Sequence, residues 1–289
     1  VVMRILDQEK GVQKLDSIGL SPKNLTLVRE ALDRPYGLVL ISGPTGSGKT
    51  TTLYSMLNEM DKDQYNVLSL EDPIEYNIDG MSQSQVHSEI GYTFAAGLRT
   101  TLRQDPDVIM VGEIRDKETA QLVVQAALTG HLVFSTIHTN NSTGVIPRLI
   151  DMGVDPYLIS PTLILTMAQR LVNRLYPNSG KPIPVQGSIK ALIDRQFSDL
   201  PEEFRKELPV SEFVYEKEIS AVSPTGIKGR IAVFEAFKMD TDVEKLILSN
   251  SSESDIVKTL RSKGMLTMRE DAIIKSLSKQ IPFEEVVRL

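Results

Sequence analysis

From Gly37 to His138, short unbroken apolar runs alternate with longer amphipathic stretches: "GLVLISG", "TTTLYSMLNEM", "YNVLSLED", "FAAGLRTTLRQ", "DVIMVGE", "TAQLVVQAALTG" and "HLVFSTIH". Unbroken apolar runs lack the in-out alternation of a half-exposed strand. They predict strands buried on both faces, and with helices between them a parallel sheet covered on both sides. Residues 142–176 read as helices, with Pro147, Pro156 and Pro161 marking starts or kinks. Between Pro177 and Pro224 the texture turns to Pro, Gly and charge. A helix-like "PEEFRKEL" and a β-rich "VSEFVYEKEISAV" there predict a separate subregion or a long excursion. After Gly229, "RIAVFEAF" predicts a strand. Helices are then expected over Asp242 to Leu248, in the Ser-capped "SESDIVKTLRSKG", and in "TMREDAIIKSLSKQ" with "PFEEVVRL".

Composition narrows this picture. A chain of 289 residues allows roughly two domains, and 41% hydrophobic with 24% charged residues is ordinary for a globular fold. Cysteine is absent, which removes disulfides and thiolate metal sites and leaves only His87, His131 and His138 as nitrogen ligands, so no zinc is expected. His87, in the polar "QSQVHSE", reads as a loop residue. Apolar runs such as "YLISPTLILTMA" fall short of the roughly 20 residues that cross a bilayer, and no signal peptide is evident, so a soluble protein in a reducing compartment is expected. The net charge of -6 argues against a surface built to neutralise nucleic-acid phosphates. The strand-like opening "VVMRILDQEKG" reads as the remnant of an upstream domain.

The chemistry concentrates in a few segments. Gly43 to Thr50 fit GxxxxGK[ST] between an apolar strand and a helix. In that setting Gly43, Pro44, Thr45, Gly46, Ser47 and Gly48 form a backbone cradle for phosphates. Lys49 reaches the terminal phosphates, the Thr50 hydroxyl is a Mg²⁺ ligand, and Thr51 continues the helix start. Hydrolysis needs a carboxylate near the metal and another that orients water. "DVIMVGE" ends a strand with Glu113 in the place of a Walker B acid, with Gly112 where many P-loop enzymes have Asp, so metal contact there is expected through water. "LSLEDPIEY" offers Glu71, Asp72 and Glu75 around Pro73 at a strand end, too many acids at one point for a mere solvated loop, with a surface turn as the bland alternative. His131 and His138 flank one strand, placing them near its opposite ends and on opposite faces; His138, at the carboxyl end, is the better placed to sense phosphate. Arg99 and Arg103, four apart, would share a helix face, either solvated or reaching a phosphate or a neighbouring subunit.

Taken together, "GPTGSGKTTTL", "EDPIEY", "LRTTLRQDPDVIMVGEIRD" and "ALTGHLVFSTIHTN" resemble, in order and spacing, the Walker A, Asp box, Walker B and His box of the secretion ATPase superfamily. The nearest likeness is to the assembly ATPases of type IV pili and type II secretion, the PilB/GspE group. "QRLVNRLYP", "TGIKGRIAVFEAF" and "GMLTMREDAIIKSL" extend it through the C-terminal part, and favour it over the retraction ATPases.

The resemblance implies an α/β fold: a P-loop NTPase (RecA-like) parallel sheet core with a mostly helical C-terminal domain. Residues 1–33 would be the remnant of a second N-terminal domain and its linker, 34–175 the ATPase core, and 176–289 the C-terminal domain with an insertion at about 176–228. It implies ATP and Mg²⁺ as cofactors, Glu75 as the water-activating carboxylate, Glu113 as the Walker B acid, His131 and His138 as the His box, and Arg4 as a nucleotide-reaching arginine. It further implies a homo-hexamer at the cytoplasmic face of the inner membrane that turns a platform protein of PilC/GspF type and adds pilins to a filament, with no nucleic acid. Alternatives within reach are a DNA-transport or conjugation ATPase of the same superfamily, or a non-hydrolysing nucleotide-gated scaffold. The sequence departs from the family where "YPNS" (176–179) and residues 219–222 stand in place of a tetracysteine zinc module. Phe213, Val214 and Tyr215 are expected to supply an apolar contact instead.

Overall fold

The computed structural model describes residues 13–289. Helix α1 (Pro22–Leu32) starts where the Ser21 hydroxyl accepts from Asn24 N–H with Pro22 at the first helical position, a cap and a breaker acting together. The chain then enters β1 (Gly37–Ser42), α2 (Lys49–Glu59), β2 (Val67–Glu71), β3 (Ser82–Gln85), α3 (Phe94–Thr101), β4 (Val108–Val111), α4 (Lys117–Leu128) and β5 (Leu132–Ile137). Two short helices, α5 (Val145–Asp151) and α6 (Pro156–Thr162), lead into β6 (Leu163–Leu175). Beyond lie β7 (Lys181–Pro184), α7 (Gly187–Gln196), α8 (Glu202–Arg205), β8 (Phe213–Glu216) and β9 (Ile227–Lys238). Helices α9 (Thr241–Leu248), α10 (Glu253–Ser262), α11 (Met268–Leu277) and α12 (Phe283–Arg288) complete the chain.

One sheet of seven strands organises the molecule, in the order β3-β2-β4-β5-β1-β6-β9. It is parallel except for β9, which runs antiparallel to β6. β1, β2, β4 and β5 are buried throughout, as their largely apolar sequences require, and the polar residues within them, Ser42, Ser69, Glu71, Ser135 and Thr136, are buried too. One face of the sheet packs under α3, α4, α5, α9 and α10, the other under α1 and α2, and a third cluster fills the space between β6, β9, α7, α11 and α12. The expected boundary near residue 175 falls between β6 and β9, which pair side by side, so the chain crosses it within a single sheet.

Two local expectations change, and one strand arises where no pattern marked it. Residues 163–175 form a thirteen-residue strand, not a helix. "LILTMA" is apolar at every position but Thr166, which suits a helix or a strand alike. A place between β1 and β9, buried on both faces, settles it as strand. The polar "SQSQ" of β3 carries no apolar strand pattern, yet it adds an edge strand to β2 through backbone bonds that need no apolar side chains. Helix α3 ends at Thr101, so Arg103 sits in the following turn, its N–H on Thr100 O at 3.1 Å, and does not share a helix face with Arg99.

In the zinc-module region, β7 and β8 form a separate two-stranded ribbon. The turn at 176–179 is closed by Ser179, whose N–H and Oγ both donate to Tyr176 O at 3.0 and 2.8 Å. Ser220 and Ser223 exchange backbone bonds of 3.0 and 3.1 Å. The expected apolar contact reduces to one residue: Val214 is fully buried, whereas Phe213 is exposed and the Tyr215 ring lies under Lys279, 4.9 Å from the ammonium.

Candidate active site

The carboxyl edge of a parallel sheet is where loops leave the strands, and a cleft of about 540 Å³ opens there. Its floor is the loop after β1. Gly48 precedes α2 in a left-handed conformation (φ +88), and α2 begins at Lys49, so the helix's unpaired N–H groups face the cleft. Lys49 Nζ lies on the loop's own carbonyls, Gly43 O at 2.9 Å and Pro44 O at 3.1 Å. Burial pulls its ammonium below the usual lysine range while the Glu113 carboxylate opposes that shift. Thr45, Gly46, Thr50 and Thr51 complete this wall.

Facing them are the acids. Glu113, just past the end of β4, accepts from Arg115 at 2.6 Å and lies 3.4 Å from His138 Nε2. Gly112 before it stands where many P-loop enzymes have Asp, in a tight place: a Cβ there would sit 3.2 Å from Leu70 O and 3.4 Å from the Phe94 ring, so its neighbours would have to give by a few tenths of an ångström. Thr50 and Glu113 both line the cleft, and their hard oxygen donors fit Mg²⁺, an ion that keeps several waters and takes few protein ligands.

The three acids around Pro73 divide. Glu71 is buried and accepts from the Tyr54 hydroxyl, Ser69 Oγ at 2.5 Å and Gln83 Nε2 at 3.0 Å. These contacts anchor α2 to β2 and β3 through Glu71. The Tyr54 hydroxyl is pushed well above its ordinary range, first by burial and then by Glu71. Glu75 lines the cleft beside Asp72 and Tyr76.

The structure therefore brings Lys49, Thr50, Glu75, Glu113 and His138 together. It does not bring His131 there. That residue precedes β5 at the amino edge, with Nδ1 2.9 Å from Ala126 O, about 20 Å of strand away from His138. Arg99 pairs with Glu118 on the exposed surface of α3 and α4, and neither Arg99 nor Arg103 lines the cleft. Arg4 lies outside the described residues. Sequence reasoning missed Arg115, Thr136, Leu171 and Arg230, which also line the cleft. Arg115 had a local signal, two positions past Glu113. Arg230 arrives from β9, more than a hundred residues downstream, and no local pattern marks it.

The family profile described as "Type II/IV secretion system protein" matches residues 1–288. The chain belongs to this Type II/IV secretion system protein family. "Type II secretion system ATPase E" of Vibrio cholerae is 42% identical over 290 residues, covering 100% of this chain and 55% of that protein. "Type IV pilus assembly ATPase PilB" of Myxococcus xanthus is 40% identical, covering 99% of this chain and 50% of its own length. The chain thus spans about half the length of these secretion-family relatives. Among solved structures, the pilus retraction motor PilT with bound ADP matches 99% of this chain and 68% of that one at TM-score 0.68 and 28% identity. The fold is accordingly the α/β P-loop NTPase fold of this family. No helix among the described residues is long and apolar enough to cross a membrane.

Proposed function

We propose that the chain is the motor part of an assembly ATPase, which hydrolyses Mg-ATP as a homo-hexamer to drive pilin assembly through an inner-membrane platform protein at the cytoplasmic face. One observation carries the reading: the phosphate loop, two carboxylates and His138 converge on one cleft, and Arg115 and Arg230 join them. Simple nucleotide binding needs the loop alone; water activation needs the acids. The higher identity to secretion and assembly ATPases, 40–42% against 28% for the retraction motor, supports assembly over retraction.

The loop N–H groups and Lys49 hold the phosphates, and Glu75 takes the proton of the attacking water. His138 reports on the terminal phosphate through Glu113. Thr50 and Glu113 would hold Mg²⁺, which would supply neutralisation of phosphate charge when bound. Arg99 and Arg103, exposed outside the cleft, serve contacts with a neighbouring subunit, and Arg4 reaches nucleotide.

The test is phosphate release from Mg-ATP as a function of protein concentration. Specific activity that climbs with concentration is expected for a ring; a flat response at the level of a Glu75→Gln control would remove the motor reading. Lys49→Ala is expected to weaken ATP binding by roughly a hundred-fold, on the scale of losing a desolvated charge-assisted contact. Unchanged affinity in a binding titration would contradict the phosphate cradle.

A further inference from the structure

Strand β6 passes directly behind the phosphate loop, and one residue of it touches both ends of that loop. Gln169 is fully buried, and its Nε2 donates to Ser47 O at 2.6 Å. A Cβ on Gly43 would meet the Gln169 carbonyl oxygen at 2.4 Å, and one on Gly48 would meet Gln169 Nε2 at 3.2 Å. Both glycines have positive φ, so the loop can lie this close to β6 only without side chains at its two ends.

The amide is also costly where it stands. Its Oε1 is buried without a hydrogen-bond partner, so half of the group's bonding capacity is forfeited. Methionine would fill the same space without a buried orphan acceptor, and the neighbours on that face of β6, Leu165, Met167 and Leu171, are all apolar. A polar group kept at such a position acts through the one bond it makes.

We propose that Gln169 is a positioning residue for nucleotide binding: by holding Ser47 O toward β6, it aims the Gly48 N–H into the phosphate cradle. A trans peptide is planar, with its carbonyl and the next N–H pointing in opposite directions, so fixing one fixes the other. Gly48, with a glycine's freedom, would otherwise let that peptide rotate. The same residue pairs with Phe234 of β9, whose N–H donates to Asp271 of α11 at 2.8 Å, so the cradle leans on the C-terminal helices. The proposal rests on the phosphate-loop reading above.

Two isosteric variants test it. Gln169→Met should fold with an unfolding midpoint within about 3 °C of the parent, yet bind Mg-ATP roughly ten-fold or more weakly. Gln169→Glu places an ionised carboxylate against a carbonyl oxygen and should bind at least as poorly near neutral pH. Once protonated, its O–H can donate to Ser47 O. Its affinity relative to the parent should therefore recover between about pH 8 and about pH 5.5, a response that a space-filling role would not produce. A folded Gln169→Met chain that binds ATP like the parent, while Lys49→Ala does not, overturns this proposal alone. A parent chain no tighter than Lys49→Ala overturns the phosphate-loop reading and this one with it.

Discussion

Glu75→Gln is expected to keep ATP binding and to lose turnover by roughly 100-fold or more, the scale of removing a positioned general base. Two of the other carboxylates near the cleft already have roles of their own. Glu71 is buried under three donors, and Glu113 is held between Arg115 and His138. Gln keeps the shape of Glu75 but cannot take a proton at neutral pH, so positioning is preserved while the chemistry is not. The measurement is single-turnover phosphate release, with ATP affinity determined separately on the same variant. Turnover comparable to the parent would remove Glu75 as the base. Glu71→Gln would do something different: it would disturb the Tyr54, Ser69 and Gln83 contacts, and its deficit should appear as lost stability before lost rate.

The contrast between these two acids shows what was legible in the sequence. GPTGSGKT declares itself because the cradle is built from consecutive backbone groups, and every requirement is local. The strands β1, β2, β4 and β5 were equally plain, since burial on both faces leaves a largely apolar run. In "LSLEDPIEY" three acids stand together, and their roles separate only in three dimensions, where Tyr54 arrives from α2 and Gln83 from β3 to consume Glu71. His131 and His138 flank one strand, and its polarity relative to the phosphate loop leaves only His138 at the cleft. β6 was misread because its pattern fits two periods and its neighbours choose. Gln169 and Arg230 belong to the same class: strand positions whose meaning lies in which loop the sheet order sets beside them. Strand order β5-β1-β6-β9, unlike helix periodicity, is not written in any single segment.

The largest loss of stability is expected from Arg261→Met. Its guanidinium is almost fully buried where α10 ends. It makes a fork to Glu270, with Nη1 on Oε2 and Nη2 on Oε1 both at 2.7 Å, and a further bond to Met265 O at 2.6 Å. On its outer side it reaches Asp199, which is largely exposed and adds little once screened by solvent. Glu270 is completely buried and also closes the capping box of α11, accepting from Thr267 N–H at 2.7 Å while its own N–H donates to Thr267 Oγ1. Removing Arg261 leaves that carboxylate charged and unpaired among α10, α11 and the turn after α7, which costs about 3–5 kcal/mol. Burial already pushes Glu270 above the usual glutamate range, with Arg261 the main opposing influence. Without Arg261, the folded variant gains stability relative to its unfolded chain as pH falls, because the buried acid takes up a proton before a solvated one does. The deficit, measured as a shift in urea midpoint, should be largest at neutral pH and should narrow toward about pH 5. Adding Glu270→Gln removes the orphaned charge and keeps the cap, so the double variant should be more stable than Arg261→Met alone. Simple additivity of the two losses would mean that the fork contributes no coupling.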